Sequence, residues 1–552
     1  MKLWTRLFSL AAVAAMLGVA FTPSSAGDIK KELSEFKKTW TDRRASTREK
    51  YEAVRALPTG NKDLADWYID VLEGEVWQWR AEIMLQRLTT ETDPDLLNEL
   101  GKFLFDEKKA PKQASAAEHL ILGLFNNSSF AKPERWARAG ELIRNEKMPD
   151  KVKWRMIREL GRWRGAEDNP EVQTLMKNNC RLLIDLLGEN LKAKRPELIA
   201  RFLIIDSLES LTNEEHGDKI ENWTFWYNDL KDKPLTPRKA TMFKDDLGDI
   251  ELEGHSFARK EPRKVEGMEI LILPEFGYSE EYWYPYIFEL NKTMTCTFVQ
   301  LPDASRVKDL ERPIDREGNK DPNAYFYPLE QLVEAFELRR QESKQKKVGI
   351  IAHGVSGWIA LEYCRLHPES VAFAIIMNTW AGNNSYGKAR NQLEGNKDDD
   401  LKYFGMGLLY DPTNRQGYGA LTDDQKFHYE TGAYKRMQHD PKAVEPVLYG
   451  AMREQFREQI GGGQALTPKF EFEDLVGRKT IDAHVMFVWG AHDPMYVDDD
   501  MKAFQKSFDR GKATFEIFPN SSRTPWAEEP TLFYEKFDQL IERSGVLKQE
   551  DK

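Results

Sequence analysis

The hydrophobic pattern divides the chain into two parts. From about residue 27 to 233, apolar positions recur at helical spacing, and the pattern predicts one helix after another. From about residue 265, short apolar runs alternate with amphipathic segments, as in MEILILPEF, KKVGIIAHG, AFAIIMNTW and AHVMFVWGAHD. Strands that alternate with helices indicate a mostly parallel sheet with helices on both faces. We therefore expect a multidomain protein, with an all-α N-terminal domain followed by an α/β domain.

The first 26 residues have the pattern of a signal peptide. Lys2 and Arg6 precede an apolar run from Leu7 to Phe21, and small residues follow up to Ala26. This run is shorter than the ~20 residues that a membrane span needs, although an uncleaved anchor is the alternative. We expect cleavage after Ala26, export to the periplasm or the medium, and no membrane span in the cleaved protein.

The helical part divides further, into a long helical hairpin over residues 27–90 and shorter, paired helices over 91–235. The segments that begin at Pro149 and Arg195 carry apolar residues at matching positions, with a period near the ~40–47 residues of helical repeats. Together with Trp223 and Trp226, residues 91–235 resemble a HEAT-repeat domain. An irregular helical bundle is the alternative. Because repeat stacks present a surface to other macromolecules, the resemblance implies a protein partner for this domain.

The rest of the chain has three kinds of segment. Residues 236–264 are rich in Pro, Gly and charge, which predicts a linker. Residues 265–380 and 481–552 carry the strand and helix pattern of the α/β core. The polar stretch 381–480 interrupts this core after the strand AFAIIMN and is expected to form a helical cap.

The run VGIIAHGVSGWIALEY carries the clearest motif. A buried strand leads through a small-residue turn into a helix, which resembles the nucleophile elbow of the α/β-hydrolase superfamily. The preferred alignment puts Ala352 and Ser356 at the two small flanking positions and Gly354 at the nucleophile. A rival alignment takes Ser356 as the nucleophile, but it puts the bulky Trp358 at a position that needs a small residue.

The resemblance also locates the acid and the base of a catalytic triad. The run WGAHDP is similar to the superfamily's Gly-x-x-Asp-Pro and puts Asp493 at the acid position. Counting back from the Glu-Glu-Pro before the last helix puts Arg523 where the superfamily has its His. A guanidinium cannot shuttle a proton near neutral pH as an imidazole can. The resemblance therefore implies an Asp493–Arg523 ion pair in place of an acid–base pair.

The oxyanion loop departs from the superfamily as well. In LPEFGYSEEYW, Pro274 and Glu275 stand at the usual His-Gly positions. A carboxylate there opposes the negative charge that develops in acyl transfer. The resemblance implies these candidate residues for a ligand pocket: Pro274, Glu275, Phe276, His353, Gly354, Val355, Asp493 and Arg523.

Composition restricts the function further. The formal net charge of -11 argues against a nucleic-acid partner. The histidines and cysteines lack metal-ligand spacing, so neither a metal nor a cofactor is expected. Our first hypothesis is an exported, catalytically inactive α/β-hydrolase relative that binds a small molecule or a protein. An active hydrolase that uses Ser356 and an envelope scaffold that acts through the helical domain are the alternatives, so whether this is an enzyme stays open.

Overall fold

The computed structural model describes most of the chain. The described residues are 26–41, 53–54, 56–57, 62, 64–74, 78–162, 169–194, 196–230, 233–237, 242–247, 250–257, 268–275, 280–290, 294–300, 329–342, 344–407, 423–445, 447, 470, 472, 481–508 and 512–546. Residues 1–25 of the expected signal peptide, Phe276, and much of the cap insertion lie outside them. Within the described ranges, no helix is long and apolar enough to cross a membrane.

The N-terminal part is helical, as expected. Its helices are α1 Ala26–Thr41, α2 Leu64–Glu73, α3 Gln78–Thr89, α4 Pro94–Leu104, α5 Ala114–Phe125, α6 Pro133–Ala137, α7 Ala139–Arg144, α8 Asp150–Arg162, α9 Pro170–Lys192, α10 Leu198–Thr212 and α11 Ile220–Leu230. Within this part, α8 lies between α5 and α10, and α9 packs on α10. The approach of α8 to α10 is close because Gly161 faces Ser207, whose hydroxyl donates to the Ile157 carbonyl at 2.8 Å.

The second arm of the expected helical hairpin is not one helix. Helix α2 ends at Glu73, and α3 begins at Gln78. Gly74 follows α2 directly, and glycine is a poor helix former. Helix α1 still packs against α2, because the rings of Phe36 and Trp67 meet edge to face with centroids 4.8 Å apart.

The C-terminal part is built on one eight-stranded sheet. The strands are β1 Met242–Leu247, β2 Ile250–Phe257, β3 Met268–Leu273, β4 Thr295–Gln300, β5 Lys347–His353, β6 Val371–Met377, β7 His484–Gly490 and β8 Ala513–Phe518. Their order is β1-β2-β4-β3-β5-β6-β7-β8. The pairs β1–β2 and β2–β4 are antiparallel, and the others are parallel.

The prediction of a linker over 236–264 is wrong in part, because this segment contains two strands. Residues 242–257 form the antiparallel edge β1–β2 of the sheet. The segment IELEGHSF mixes polar and apolar residues, as strands of antiparallel sheets do. Its charge and glycine content concealed this pattern.

Neighbouring residues of the central strands enter two separate apolar clusters, because side chains alternate across a strand. Ile351 belongs to the cluster that contains Phe537 of helix α20 (Pro530–Ser544), whereas Ile350 belongs to the cluster that contains Trp358. Helices α13 (Leu329–Glu342) and α14 (Ser356–Leu366) cover the second face. A mostly parallel sheet covered by helices on both faces, with an elbow after β5, is the α/β-hydrolase fold.

The first of these clusters continues into the helical domain. The 3-10 helix Glu280–Tyr286 follows β3, leads into the short helix α12 (Ile287–Leu290) and packs against α10. There the rings of Phe202 and Tyr284 lie 4.9 Å apart. The helical domain therefore shares its hydrophobic core with one face of the sheet.

The cap insertion is helical where it is described. Helices α15 Asn383–Glu394, α16 Asp399–Gly407 and α17 Asp423–Arg436 lie between β6 and β7 in the chain. The short helix α19, Pro525–Glu528, lies between β8 and α20. Helix α18, Asp498–Ser507, follows β7 and begins at an acidic triplet. Its buried Asp500 accepts a hydrogen bond from Ser385 of α15 and so ties the cap to the core.

This cap contact carries a pH dependence. Burial raises the pKa of Asp500 from 3.8 to about 6, although the hydrogen bond from Ser385 opposes the shift. As the pH rises, the Asp500 carboxyl of the unfolded chain loses its proton near pH 4, before that of the folded protein does. The free energy of unfolding therefore falls by about 3 kcal/mol between about pH 4 and pH 6. We expect Asp500→Asn to be more stable than the wild type at pH 7.5 and nearly equal to it at pH 4 in urea unfolding. Equal stability of the two proteins at pH 7.5 would contradict this.

Candidate functional site at the β5 elbow

The turn after β5 has the backbone of a nucleophile elbow. Gly354 has φ +58°, a left-handed conformation that glycine adopts at little cost. Its N–H donates to the Met377 carbonyl at 2.8 Å, and its own carbonyl accepts from the Thr379 hydroxyl at 2.7 Å. Helix α14 begins two residues later, at Ser356. The structure therefore puts Gly354 at the apex of the turn.

The space that a side chain at Gly354 would need is occupied. A Cβ built on Gly354 would overlap the carboxylate of Glu275, which comes from the loop after β3. The Val355 N–H donates to Glu275 Oε1 at 3.1 Å. In this fold, the N–H of the residue after the nucleophile is one half of the oxyanion hole. Glu275 thus occupies both the nucleophile's place and this half of the oxyanion hole.

Arg523 connects this carboxylate to the acid position. Its Nη2 pairs with Glu275 Oε2, and its Nη1 lies 3.3 Å from Asp493 Oδ2. The guanidinium also lies over the Trp380 ring, with Cζ 5.1 Å from the ring centroid. The Asp493–Arg523 ion pair expected from the sequence is present, and Glu275 extends it to three members.

These three side chains are almost completely buried: 3% of Arg523 is exposed, and 7% each of Glu275 and Asp493. Burial raises the pKa of the Glu275 carboxyl, against the opposing effects of the Arg523 charge and the Val355 N–H. Two carboxylates share one guanidinium, so the cluster needs further donors to be stable. Asp493 receives them from the Met495 N–H and the Asn378 amide, both at 2.8 Å.

The loop that carries Arg523 is held by a third buried carboxylate, Glu528. Glu528 accepts hydrogen bonds from the N–H groups of Ser522 at 2.7 Å and Asp440 at 2.9 Å. Burial raises the pKa of Glu528, and these hydrogen bonds oppose the shift. Asp440 follows cap helix α17, so Glu528 joins the cap to the Arg523 loop.

His353 lies beside the elbow as a neutral imidazole. Burial lowers its pKa well below the ordinary value, and the nearby Arg523 charge lowers it further. Its Nδ1 is 2.9 Å from the Tyr282 hydroxyl, which also accepts the Glu275 N–H at 3.0 Å. The imidazole is therefore engaged with the loop after β3. No contact joins it to the Ser356 hydroxyl.

Ser356, the rival nucleophile, is the first residue of α14 and is fully buried. Its hydroxyl donates to the Pro274 carbonyl. Ser356 thus secures the loop after β3, on which Glu275 lies. Among the described residues, no basic side chain contacts this hydroxyl, and Ser356 is closed to solvent.

The structure brings together all of the described candidates from the sequence, namely Pro274, Glu275, His353, Gly354, Val355, Asp493 and Arg523. Phe276 lies outside the described residues. Sequence reasoning missed Tyr282, Asn378, Trp380 and Glu528. The position of Asn378 and Trp380 just after a buried strand could have indicated them, because sites in α/β sheets lie at the carboxyl ends of strands. Within the described ranges, no group of three His, Cys, Asp or Glu residues is placed to hold a metal ion.

No protein-family model matches this chain, and no curated protein sequence matches it. Among the solved structures that resemble it are an iminopeptidase, a carboxylesterase and an esterase. Proline iminopeptidase of Mycobacterium smegmatis is 12% identical, with 56% of this chain and 100% of that chain covered and a TM-score of 0.41. Carboxylesterase CesB of Bacillus subtilis is 12% identical, with 55% of this chain and 92% of that chain covered and a TM-score of 0.36. An esterase of Thermogutta terrifontis is 14% identical, with 55% of this chain and 99% of that chain covered and a TM-score of 0.37.

Proposed function

We propose that this chain is an exported, catalytically inactive α/β-hydrolase-fold protein that acts by binding. The observation that carries the proposal is the Glu275 carboxylate in the nucleophile's place. Acyl transfer needs a nucleophile, a base that takes its proton, and free donors for the oxyanion. At this elbow, the nucleophile position is glycine, the base position is arginine, and the Val355 N–H already has an acceptor.

The site of binding follows from the same observation. Because protein side chains fill the centre, we assign the binding of a protein partner to the helical domain. The adjacent packing of α5, α8 and α10 fits a HEAT-like stack, and such stacks present a surface to other macromolecules. A pull-down with the full chain is the direct check, and recovery of no specific partner would count against this assignment.

A fluorophosphonate probe and small aryl esters test for catalysis. We expect the wild type to show neither labelling nor ester turnover above the buffer rate. Stable labelling of the wild type at Ser356 would overturn the proposal, because it would establish a reactive serine next to the elbow.

A rebuilt site provides the positive control. The triple variant Glu275→Gly/Gly354→Ser/Arg523→His removes the blocking carboxylate and restores a nucleophile and a base next to Asp493. We expect this variant to be labelled at position 354. The matched variant Gly354→Ser alone keeps Glu275 and should not be labelled.

A further inference from the structure

We propose that the elbow centre is a carboxylate receptor whose covalently tethered occupant is the Glu275 side chain, so that a free short monocarboxylate binds only where Glu275 is truncated. The inference rests on the proposed lack of catalysis and adds the chemical class of group that the centre holds. The carboxylate of Glu275 is bound as a ligand would be, by a guanidinium and a backbone N–H.

The receptor has two donors for one carboxylate. Arg523 Nη2 pairs with Oε2, and the Val355 N–H donates to Oε1 at 3.1 Å. Charge-assisted bonds from a guanidinium are among the strongest hydrogen bonds in proteins. Val355 also precedes the 11-residue helix α14, whose N-terminus favours an anion. These donors match the two oxygens of a carboxylate, whether or not that carboxylate is part of the chain.

Both donors are held independently of Glu275. Arg523 retains Asp493 and the Trp380 ring, and Glu528 fixes the preceding Ser522 N–H. The Val355 N–H is fixed by the elbow, whose apex has its own hydrogen bonds to Met377 at the end of β6 and to Thr379. Truncation of Glu275 should therefore leave the donors in place around a void of the size of the atoms removed.

The truncated atoms define the ligand that fits. Glu275→Ala removes one methylene and the carboxylate, which together match acetate. Glu275→Gly removes one methylene more and matches propionate. No Cβ from Gly354 enters this space, so the elbow does not obstruct either ligand.

Thermal unfolding of the full chain with added carboxylate tests the proposal. In about 100 mM sodium acetate, we expect the midpoint of Glu275→Ala to rise by about 2 °C or more relative to sodium chloride of equal ionic strength. Butyrate should give no rise. Glu275→Gly should also respond to propionate, and the wild type should respond to none of the three salts, because its own carboxylate occupies the receptor.

Two variants serve as controls. Glu275→Gln keeps the shape of the side chain and fills the receptor, so acetate should not stabilise it. Glu275→Ala/Arg523→Met removes the guanidinium and should lose the acetate response. The proposal is overturned if Glu275→Ala responds no more to acetate than to chloride, or if the response survives without Arg523. Failure of both truncated variants to fold even in acetate would also overturn it, because a free ligand should restore an intact receptor.

The outcome separates this inference from the proposed function. Labelling of the wild type by the fluorophosphonate would refute the lack of catalysis without altering the acetate titration. A flat titration with an unlabelled wild type would leave a catalytically inactive centre in which Glu275 has a purely structural role.

Discussion

Gly354→Ala is expected to destabilise the protein by roughly 2–5 kcal/mol in chemical unfolding. An alanine at φ +58° costs on the order of 1–2 kcal/mol, and overpacking in a dense core adds on the order of 1–3. The added methyl group would overlap the Glu275 carboxylate. That carboxylate cannot move aside cheaply, because Arg523 and the Val355 N–H both hold it.

Two comparisons separate the backbone cost from the collision. Gly545 also has a positive φ, +73°, but nothing lies within 4 Å of a Cβ built there. Gly545→Ala should therefore show only the smaller, backbone cost. Glu275→Gly removes the colliding group. In that background, adding Gly354→Ala should lower the free energy of unfolding by less than it does in the wild type. An equal loss from Gly354→Ala in both backgrounds would show that Glu275 does not cause it.

Arg523→Met should cost about 3–5 kcal/mol, because it leaves two buried carboxylates without their shared cation. This loss of stability should become smaller as the pH falls, because protonation neutralises Glu275. Burial already raises the pKa of that carboxyl. Urea unfolding at pH 7.5 and pH 5 measures both effects. A deficit that does not change with pH would argue for lost packing on Trp380 instead of lost charge compensation.

The matched control for this prediction is an exposed ion pair. Lys102 and Glu99 lie 2.7 Å apart on the surface of α4, with both side chains well exposed. Lys102→Met should change stability by less than about 1 kcal/mol. Restoring the charge balance provides a further check, because Arg523→Met/Glu275→Gln should recover part of the loss.

The sequence predicted the fold through its strands and its elbow. Apolar runs such as AFAIIMN are typical of buried strands, and the small-residue turn around Gly354 fixes the connection from β5 to α14. Residues 242–257 were missed because an edge pair carries polar residues, and charge in a strand resembles charge in a linker. The break between α2 and α3 was missed because periodicity continues across Gly74.

Site prediction succeeded where a motif assigns a position and failed where only packing does. Gly354, Asp493 and Arg523 were located by their positions in motifs that resemble those of the superfamily. That Glu275 fills the space above Gly354 could not be predicted, because no sequence pattern relates two residues in loops that follow different strands. Tyr282 was missed for the same reason, since its role depends on two contacts across the site.

The fit between Glu275 and Gly354 has an evolutionary consequence. A serine gained at position 354 would collide with Glu275, and loss of Glu275 alone would give neither a nucleophile nor a base. Each single step toward a working triad therefore brings instability or no gain in activity. With the proposed lack of catalysis, this pair of residues acts as a ratchet, because a working triad is reached only through several simultaneous substitutions.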